Sequence, residues 1–272
     1  MIRRYVWGSF AALLVLIMVA AGCGQGEPAK APPAGPATKP APPAAAKVPP
    51  PAGVPVLMYH QIGDEKDNDA VISPARFKEH MEYLHKNGYS TLSLDELDAY
   101  LSGGLELPAK PVVLTFDDGY RDTYEIALPV LKSYGFKSTL FIPAASADRR
   151  LSWQELKEMK AAGMAVASHS YTHRELAAMS PAEQLAEIVK SKESLDSNLG
   201  QDTKYFCYPD GSFDGTTLKL LREKGFRLAV TINPGWVKRG DNPLTLKRVW
   251  VGNAVGVRQL EERLTKENYS II

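Results

Sequence analysis

Cysteine and excess charge are both scarce in this sequence of 272 residues. The two cysteines, Cys23 and Cys207, lie far apart and cannot form a disulfide framework within one domain. The 32 Lys and Arg residues nearly balance the 31 Asp and Glu residues, and no basic stripe or long charge run is present. We therefore expect neither a nucleic-acid nor a protein partner. The lack of an internal repeat excludes a solenoid.

Large apolar side chains are almost missing from residues 24–51, which consist mainly of Pro, Ala, Gly and Lys. Such a segment cannot bury enough surface to offset its ordering entropy, so we predict an extended tether. It follows Arg3, Arg4 and an apolar run over residues 5–21, a pattern typical of a secretory signal. An uncleaved anchor is the alternative, because the run is near the lower limit of about 17 residues for a membrane span.

The signal closes on "VAAGCG", where the small residues before Cys23 resemble a bacterial lipobox. This resemblance implies cleavage after Gly22 and lipidation of Cys23, although Ala20 stands where lipoboxes usually carry Leu. We predict a signal peptide with lipobox over residues 1–22, a lipidated Cys and Pro/Ala-rich tether over 23–53, and one domain over 54–272. The domain is expected to be exported and anchored by lipid to the membrane of the cell envelope, facing outside the cytoplasm.

Short apolar runs alternate with amphipathic segments along the predicted domain. The runs "VPVLMY", "PVVLTF", "MAVAS" and "KYFCY" are typical of strands. Helix starts are marked by Ser73-Pro74 and by a Ser with Glu three residues later, as at Ser93, Ser152 and Ser180. Strands alternating with helices predict a parallel sheet. Seven or eight such units favour an α/β fold, an irregular (β/α) barrel of about seven strands that is TIM-like; an open doubly wound sheet is the alternative.

Ionisable residues follow four of the predicted strands. His60 follows the first run, Asp117 and Asp118 follow "PVVLTF", His169 follows "MAVAS", and Asp210 comes shortly after "KYFCY". A parallel barrel presents its active-site loops at the carboxyl ends of its strands, so we predict that these residues share one site. An Asp-Gly turn explains a single aspartate but does not explain four such strand ends.

The pair His169 and His173 is spaced four residues apart, which lets one tight loop direct both imidazoles at one point. Two His and one carboxylate leave open positions on a divalent metal for water and substrate. A surface loop that happens to contain two His is the alternative. The mixed ligand set suits one Zn²⁺ ion best, while Co²⁺, Ni²⁺ or Fe²⁺ could also serve.

The motifs "TFDDGY", "SHSYTH" and "YPDG" resemble the signature motifs of the polysaccharide deacetylases, carbohydrate esterase family four. The segments "PVLMYHQIGD", "LSWQELKEM" and "LKRV" resemble its circularly permuted branch, which includes bacterial poly-N-acetylglucosamine deacetylases. The resemblance spans nearly all of the predicted domain. It implies metal-dependent hydrolysis of N-acetyl groups from an N-acetylated polysaccharide, with release of acetate.

The same resemblance implies roles for individual residues. Asp118, His169 and His173 match the metal ligands, and Asp117 matches the base that takes a proton from the attacking water. Conventional members use a late His as the acid for the departing amine, but no His follows His173. The corresponding strand comes first in the permuted branch, so His60 is the candidate acid, expected to face the metal from the side opposite Asp117. A structural His at the barrel rim is the alternative.

Several further residues carry two interpretations each. In "YPDG", Tyr208 and Asp210 are expected to lie on the substrate side of the site, where the backbone N–H of Asp210 holds the oxyanion; a simple turn is the alternative for Asp210. Trp236 either lines a sugar-binding groove or packs in the core. Cys207 stands where many relatives carry an Arg; Arg248 either supplies a substitute charge or is an exposed strand-end residue. We expect packing roles for Trp153 and Trp250, and solvated positions for His80 and His85.

The predicted function is a metal-dependent N-deacetylase of polysaccharide that contains N-acetylglucosamine, acting at the cell envelope. A catalytically silent glycan-binding lipoprotein and another metal hydrolase on the same barrel are the alternatives. Asp117 argues against the silent module, because a binding module does not need a base beside its metal. Poly-N-acetylglucosamine, peptidoglycan and chitin-like fragments all stay open as substrates.

Overall fold

The computed structural model describes residues 53–65 and 67–269, which hold ten strands and seven α-helices. The strands are β1 (Val56–Tyr59), β2 (Gln61–Ile62), β3 (Val71–Ile72), β4 (Ser90–Leu92), β5 (Pro111–Phe116), β6 (Ser138–Ile142), β7 (Met164–Ser168), β8 (Tyr205–Cys207), β9 (Leu228–Pro234) and β10 (Leu246–Trp250). The helices are α1 (Pro74–Lys86), α2 (Leu94–Leu101), α3 (Leu128–Tyr134), α4 (Trp153–Ala161), α5 (Pro181–Leu199), α6 (Gly215–Glu223) and α7 (Val257–Thr265). A π-helical turn, Thr123–Ala127, leads directly into α3.

Seven parallel strands close into a barrel. Their order is β1-β10-β9-β8-β7-β6-β5, and the ring closes because β1 pairs with both β10 and β5. Leu57 of β1 is in register with Val249 on one side and Leu114 on the other. The predicted irregular barrel is therefore confirmed, and the open sheet is wrong.

The irregularity lies between β5 and β6. The short strand β4 pairs with the first half of β5, where Leu92 is opposite Val113. Strand β6 pairs only with the second half, where Thr139 is opposite Thr115. Strand β4 thus covers the amino-terminal half of this edge of β5, and β6 covers the carboxyl-terminal half.

Alternate residues of the barrel strands face in opposite directions, as the two-residue repeat of a strand requires. One buried cluster takes a residue from every barrel strand and forms the barrel interior: Val56, Val113, Phe141, Ala167, Cys207, Val230 and Leu246. Their neighbours Leu57 and Leu114 instead pack with helix residues such as Leu84 and Leu156. The strands are therefore buried on both faces, which explains their near-continuous apolar sequences.

Side-chain caps begin the helices where the sequence predicts them. Ser93, Ser152 and Ser180 each accept a hydrogen bond from the backbone of a Glu three residues later, whose carboxylate bonds back to the Ser amide. These capping boxes satisfy amides that have no partner in the first helical turn. Helix α5 ends at Gly200, whose positive φ of 59° favours glycine.

Within residues 53–65 and 67–269, we find no helix with the length and apolar character that a membrane crossing requires.

Candidate active site

The carboxyl ends of the barrel strands surround one cleft with a cavity of about 520 Å³. All the ionisable residues that the sequence predicts for this site line the cavity: His60, Asp117, Asp118, His169, His173 and Asp210. The remaining lining residues are Met58, Ala70, Tyr208, Ile232, Arg248 and Trp250. The structure thus brings the predicted residues together from four strand ends.

Asp118, His169 and His173 form a compact triad in this cleft. The Asp118 Oδ1 atom is 3.4 Å from His169 Nε2 and 3.2 Å from His173 Nε2. One potential ligand atom from each residue lies within 4.8 Å of the other two. The two imidazole rings are nearly perpendicular, at 85°, so their Nε2 atoms approach the carboxylate from different directions. Three donors this close can bind one small cation.

The orientation of His169 is fixed by the next strand. Its Nδ1 atom is 2.9 Å from the carbonyl oxygen of Cys207, so Nδ1–H donates to that carbonyl and the lone pair of Nε2 faces Asp118. Metal-bound His residues usually carry such a hydrogen bond on the second ring nitrogen. The tautomer of His169 therefore suits a ligand.

Glu187 of α5 holds the loop that carries His173, a role that the sequence analysis missed. Its carboxylate accepts hydrogen bonds from the Tyr171 amide at 2.9 Å, the Thr172 amide at 2.8 Å and the Thr172 hydroxyl at 2.6 Å. His173 itself has a φ of 64°, an unusual conformation that this loop imposes. The signal in the sequence was an acidic residue beside Ile188 in the buried stripe of an amphipathic helix.

Asp117 forms a buried ion pair with Arg248. The guanidinium donates from Nη1 to Oδ1 at 2.8 Å and from Nη2 to Oδ2 at 2.7 Å. Its other N–H groups bond to the Thr231 carbonyl, the Thr115 hydroxyl and the Cys207 sulfur, so all five donors are used. Arg248 is fully buried, and the interpretation as an exposed strand-end residue is wrong. The alternation of β10 explains this, because Arg248 is two residues after the inward-facing Leu246.

Electrostatics keep both aspartates ionised. Burial raises the pKa of Asp117, but the charge and hydrogen bonds of Arg248 outweigh burial and hold that pKa below its ordinary value. Burial also raises the pKa of Asp118, yet its close contacts with the His169 and His173 imidazoles bring that pKa well below the usual range. Both carboxylates are therefore negative at neutral pH.

Burial keeps two groups beside these aspartates uncharged, the thiol of Cys207 and the imidazole of His60. It raises the pKa of the Cys207 thiol well above its ordinary value, so this thiol stays protonated. Asp117, His169 and Cys207 also lie within ligand distance of one another, but a protonated thiol and an aspartate held by Arg248 make poor ligands. Burial lowers the pKa of His60, despite the opposing charge of Asp117. The His60 imidazole is thus neutral at pH 7.

His60 lies beside Asp117 and not opposite it. Its Nε2 atom is 3.8 Å from Asp117 Oδ2, which contradicts the expected placement on the opposite side. The His60 ring contacts the indole of Trp250, with centroids 4.9 Å apart, and the Trp250 Nε1–H donates to Asp69 at 2.8 Å. Trp250 therefore lines the cleft, and the expectation of a pure packing role for it is wrong. The sequence does contain a signal for this position: Trp250 is two residues after Arg248 in β10, so both side chains lie on the same inward-facing side of the strand.

Comparisons with known proteins agree with this arrangement. A sequence profile described as polysaccharide deacetylase matches residues 104–229. YxkH of Bacillus subtilis (strain 168), which carries the name of a polysaccharide deacetylase, is 37% identical over 203 residues, covering 74% of this chain and 72% of that protein. The chain belongs to the polysaccharide deacetylase family. The predicted family is thereby confirmed.

Two further deacetylases extend this likeness. The structure of Streptococcus pyogenes deacetylase PplD in complex with acetate superimposes with a TM-score of 0.74 at 32% identity, covering 79% of this chain and 99% of that chain. The poly-beta-1,6-N-acetyl-D-glucosamine N-deacetylase of Escherichia coli (strain K12) is 23% identical over 260 residues, covering 78% of this chain and 38% of that protein. This chain thus shares the polysaccharide deacetylase barrel with nearly the whole of the solved PplD chain.

The other predicted substrate-side residues of this deacetylase differ in their placement. Asp210 borders the cleft in a turn with a φ of 52°, stabilised by a hydrogen bond from the Gly211 amide to the Tyr208 carbonyl. The Tyr208 side chain is fully buried, and its hydroxyl donates to the Leu244 carbonyl. Trp236 is buried in the core, where its Nε1–H donates to the Arg263 carbonyl at 2.9 Å. Trp236 therefore packs in the core, and the groove interpretation for it is wrong.

His80 also contradicts its prediction. It is fully buried on α1, with Nδ1 3.3 Å from the Tyr59 hydroxyl, whereas His85 on the same helix is exposed. The helix turns His80 toward Phe77 and Leu84, the apolar side that packs on the barrel. Trp153 packs against the core as expected. Cys23, the signal peptide and nearly all of the predicted tether lie outside the described residues, so their assignment stays a prediction.

Proposed function

We propose that this polysaccharide deacetylase removes N-acetyl groups from polysaccharide that contains N-acetylglucosamine, in a metal-dependent reaction at the cell envelope. One observation carries the proposal: an ionised, buried Asp117 and a His–His–Asp triad share one cleft. The substrate class is supported by the E. coli relative, whose name gives poly-β-1,6-N-acetyl-D-glucosamine as its substrate. A silent glycan-binding module would not need an aspartate fixed by Arg248 beside the triad.

The residues present fit a divalent metal. Asp118, His169 and His173 would hold it, because their donors converge and His169 is oriented by the Cys207 carbonyl. Two imidazoles with one carboxylate are a common zinc ligand set. When bound, such an ion polarises a carbonyl group and lowers the pKa of a bound water to about 7.

Asp117 is the group that would take the proton from the attacking water. Its lowered pKa keeps it anionic at neutral pH, which a base requires. The bidentate contact with Arg248 fixes the carboxylate plane, so that the oxygen near the cleft keeps one direction. Arg248 therefore acts as a positioning residue for the base.

His60 would supply the proton that the departing amine needs. Its imidazole is neutral in the free protein, so it must first receive a proton. The 3.8 Å separation between His60 Nε2 and Asp117 Oδ2 is short enough for Asp117 to pass on the proton that it has taken from water, with a small side-chain movement. The unexpected closeness of these two residues thus favours a transfer from base to acid.

The rim of the cleft supports binding of a sugar. Trp250 and Ile232 present apolar surface at the cavity, and Ile232 is one of the few exposed large apolar residues in the described chain, at 49% exposure. The turn at Asp210 brings backbone amides to the same rim, where we expect the Asp210 N–H to stabilise the oxyanion. The acetate in the related PplD structure agrees with acetate as the released product.

The cellular location is proposed from the amino-terminal sequence alone. We propose cleavage after Gly22 and lipidation of Cys23, which leaves the domain on a tether outside the cytoplasm. Mass spectrometry of the membrane-bound protein should then show a diacylglyceryl group on Cys23. An intact Met1 in the mature protein would contradict this location.

The activity is tested by acetate release from N-acetylglucosamine oligomers, with the free amine detected in parallel. We expect activity in the metal-loaded protein, loss after chelation, and recovery on addition of Zn²⁺. Asp117→Asn should lower kcat by about 10²–10⁴, the usual scale for a positioned base, while leaving metal content intact. An Asp64→Asn variant, on the loop after β2, is the matched control. Full activity in the Asp117 variant, or no acetate from any oligomer, would refute the proposal.

A further inference from the structure

A second cavity of about 450 Å³ adjoins the triad on the side of the loop that follows β6. Asp118 and His173 line both this cavity and the cleft described above, so the two form neighbouring parts of one surface. The walls of the second cavity include the aromatic rings of Tyr120 and Tyr171 and the side chains of Arg149 and Arg150. None of these four residues has a part in the chemistry at Asp117.

Arg150 is held in place without a carboxylate partner. Its guanidinium lies over the Tyr120 ring at 4.6 Å, and Nη1 donates to the backbone carbonyl of Asp118 at 2.8 Å. Arg121, in contrast, is neutralised by ion pairs with Glu125 and Glu155 at 2.7 and 2.9 Å. The charge of Arg150 is therefore oriented toward the cavity but not compensated.

Arg149 adds a second uncompensated charge. It is exposed, and its guanidinium has no ion pair or side-chain hydrogen bond within the described part of the chain. A third cation, Lys190, lies 5.9 Å from the Tyr171 ring and likewise forms no ion pair among the described residues. Asp118, the acidic residue that lines this cavity, faces the two His, and Glu187 accepts three hydrogen bonds from the loop that carries Tyr171.

We propose that this second cavity, the Arg149–Arg150 cavity, binds an anionic group of the glycan, a carboxylate or a phosphate, next to the sugar that loses its acetyl group. The inference rests on the proposed deacetylase function and narrows its substrate to an acidic polysaccharide. A guanidinium group can donate two parallel hydrogen bonds to two oxygens of a carboxylate or phosphate, and these charge-assisted bonds are stronger than bonds between neutral groups. A volume of about 450 Å³ is in the range of small-ligand pockets.

The experiment compares three oligosaccharides of equal length as substrates of the purified protein. The first is a neutral N-acetylglucosamine tetramer, the second alternates N-acetylglucosamine with N-acetylmuramic acid and carries carboxylates, and the third is the neutral tetramer with a phosphate monoester. We expect kcat/KM for one acidic oligosaccharide to exceed that for the neutral one by about tenfold or more, the scale of a charge-assisted hydrogen bond. Whichever acidic oligosaccharide is preferred identifies the group as carboxylate or phosphate.

The Arg149→Gln variant tests whether the acidic group binds in this cavity, and it leaves the hydrogen bond from Arg150 to the Asp118 carbonyl intact. We expect it to reduce the ratio of acidic to neutral kcat/KM by about tenfold. Arg239→Gln is the control, because Arg239 is exposed like Arg149 and forms no ion pair among the described residues, but it lies over Tyr100, away from the cavity. The control should keep the wild-type ratio. The preference should also shrink at high salt, since the guanidinium is exposed.

Calorimetric binding of the same three oligosaccharides separates this inference from the proposed function. Absence of acetate release from all three would refute the function, and tighter binding of an acidic oligosaccharide that is lost in Arg149→Gln would still support the cavity. Equal affinity and equal kcat/KM for acidic and neutral oligosaccharides would overturn the inference. So would a preference that Arg149→Gln and Arg239→Gln leave equally unchanged.

Discussion

Replacement of Arg248 by Met should destabilise the protein more than any change at a surface arginine. Met has a comparable length and no charge, so the barrel interior stays filled while the partner of Asp117 is removed. The variant leaves five polar groups without their donor contacts: both Asp117 oxygens, the Thr231 carbonyl, the Thr115 hydroxyl and the Cys207 sulfur. The dominant loss comes from Asp117, which is only 1% exposed, so that water in the cleft can compensate little of its charge.

The size of the effect follows from the burial of both partners. Breaking a buried ion pair from one side costs about 3–5 kcal/mol, because an uncompensated charge stays inside the protein. For a domain of this size that corresponds to a fall in Tm of about 6–20 °C. The double variant Arg248→Met with Asp117→Asn should be more stable than Arg248→Met alone by about 1–3 kcal/mol, since the buried charge is then absent.

Urea unfolding at pH 7, followed by tryptophan fluorescence, measures these differences. Arg227→Met is the control, because Arg227 pairs with Asp98 but is itself exposed, and surface pairs contribute about 0–1 kcal/mol. The reasoning is refuted if Arg248→Met loses less stability than Arg227→Met. It is also refuted if the double variant is no more stable than Arg248→Met, because the cost then does not come from an isolated Asp117 charge.

Two further predictions concern the metal loop and the stability of the barrel in acid. Glu187→Gln should weaken zinc affinity about 10–100-fold in a chelator competition, because the amide cannot accept all three hydrogen bonds of the loop. Glu193→Gln, at an exposed position of the same helix, should leave zinc affinity unchanged. Equal affinities of the two variants would contradict the role of Glu187. Burial lowers the pKa of His80 to about 4 from an ordinary value of 6.5, so the unfolded chain binds its proton first as pH falls. Protonation of His80 should therefore lower the free energy of unfolding by up to about 3 kcal/mol between pH 6.5 and 4. Unfolding measured across that range should show the loss in wild type and in His85→Asn, but not in His80→Asn.

The fold could be predicted because local signals agreed with one another. The capping boxes at Ser93, Ser152 and Ser180 begin helices at the predicted positions, and strands buried on both faces appear as continuous apolar runs. The role of β4 could not be predicted from the sequence. Its short run "YSTL" looks like any other strand, and only the register of β5 shows that β4 and β6 share one edge of it.

The site was predictable where residues follow strands, and less so where side chains come from elsewhere. The triad residues come from two strand ends, and the sequence places them correctly in one cleft. The role of Glu187 could not be assigned from its place in the buried stripe of α5 alone, because two of its three partners are backbone amides that any sequence provides. The aromatic residues were misplaced because Trp has equal propensity for a core or a cleft. Only the folded chain separates them: Trp250 ends β10 at the cleft, whereas Trp236 follows the end of β9 and is buried in the core.

The paired aspartates acquire different properties from a single change in backbone direction. Asp117 continues the inward register of Val113 and Thr115, so its carboxylate enters the barrel and meets Arg248 from the inward register of β10. Asp118 breaks that register with a φ of 71°, a conformation that Asp tolerates better than most residues. Gly119 follows with a φ of 68°, where a Cβ would lie 2.6 Å from Ile142. The chain thus turns across the top of the barrel, and the second carboxylate faces the two His. One aspartate is therefore fixed by a buried cation and kept ionised, while its neighbour is free to bind a cation from solution.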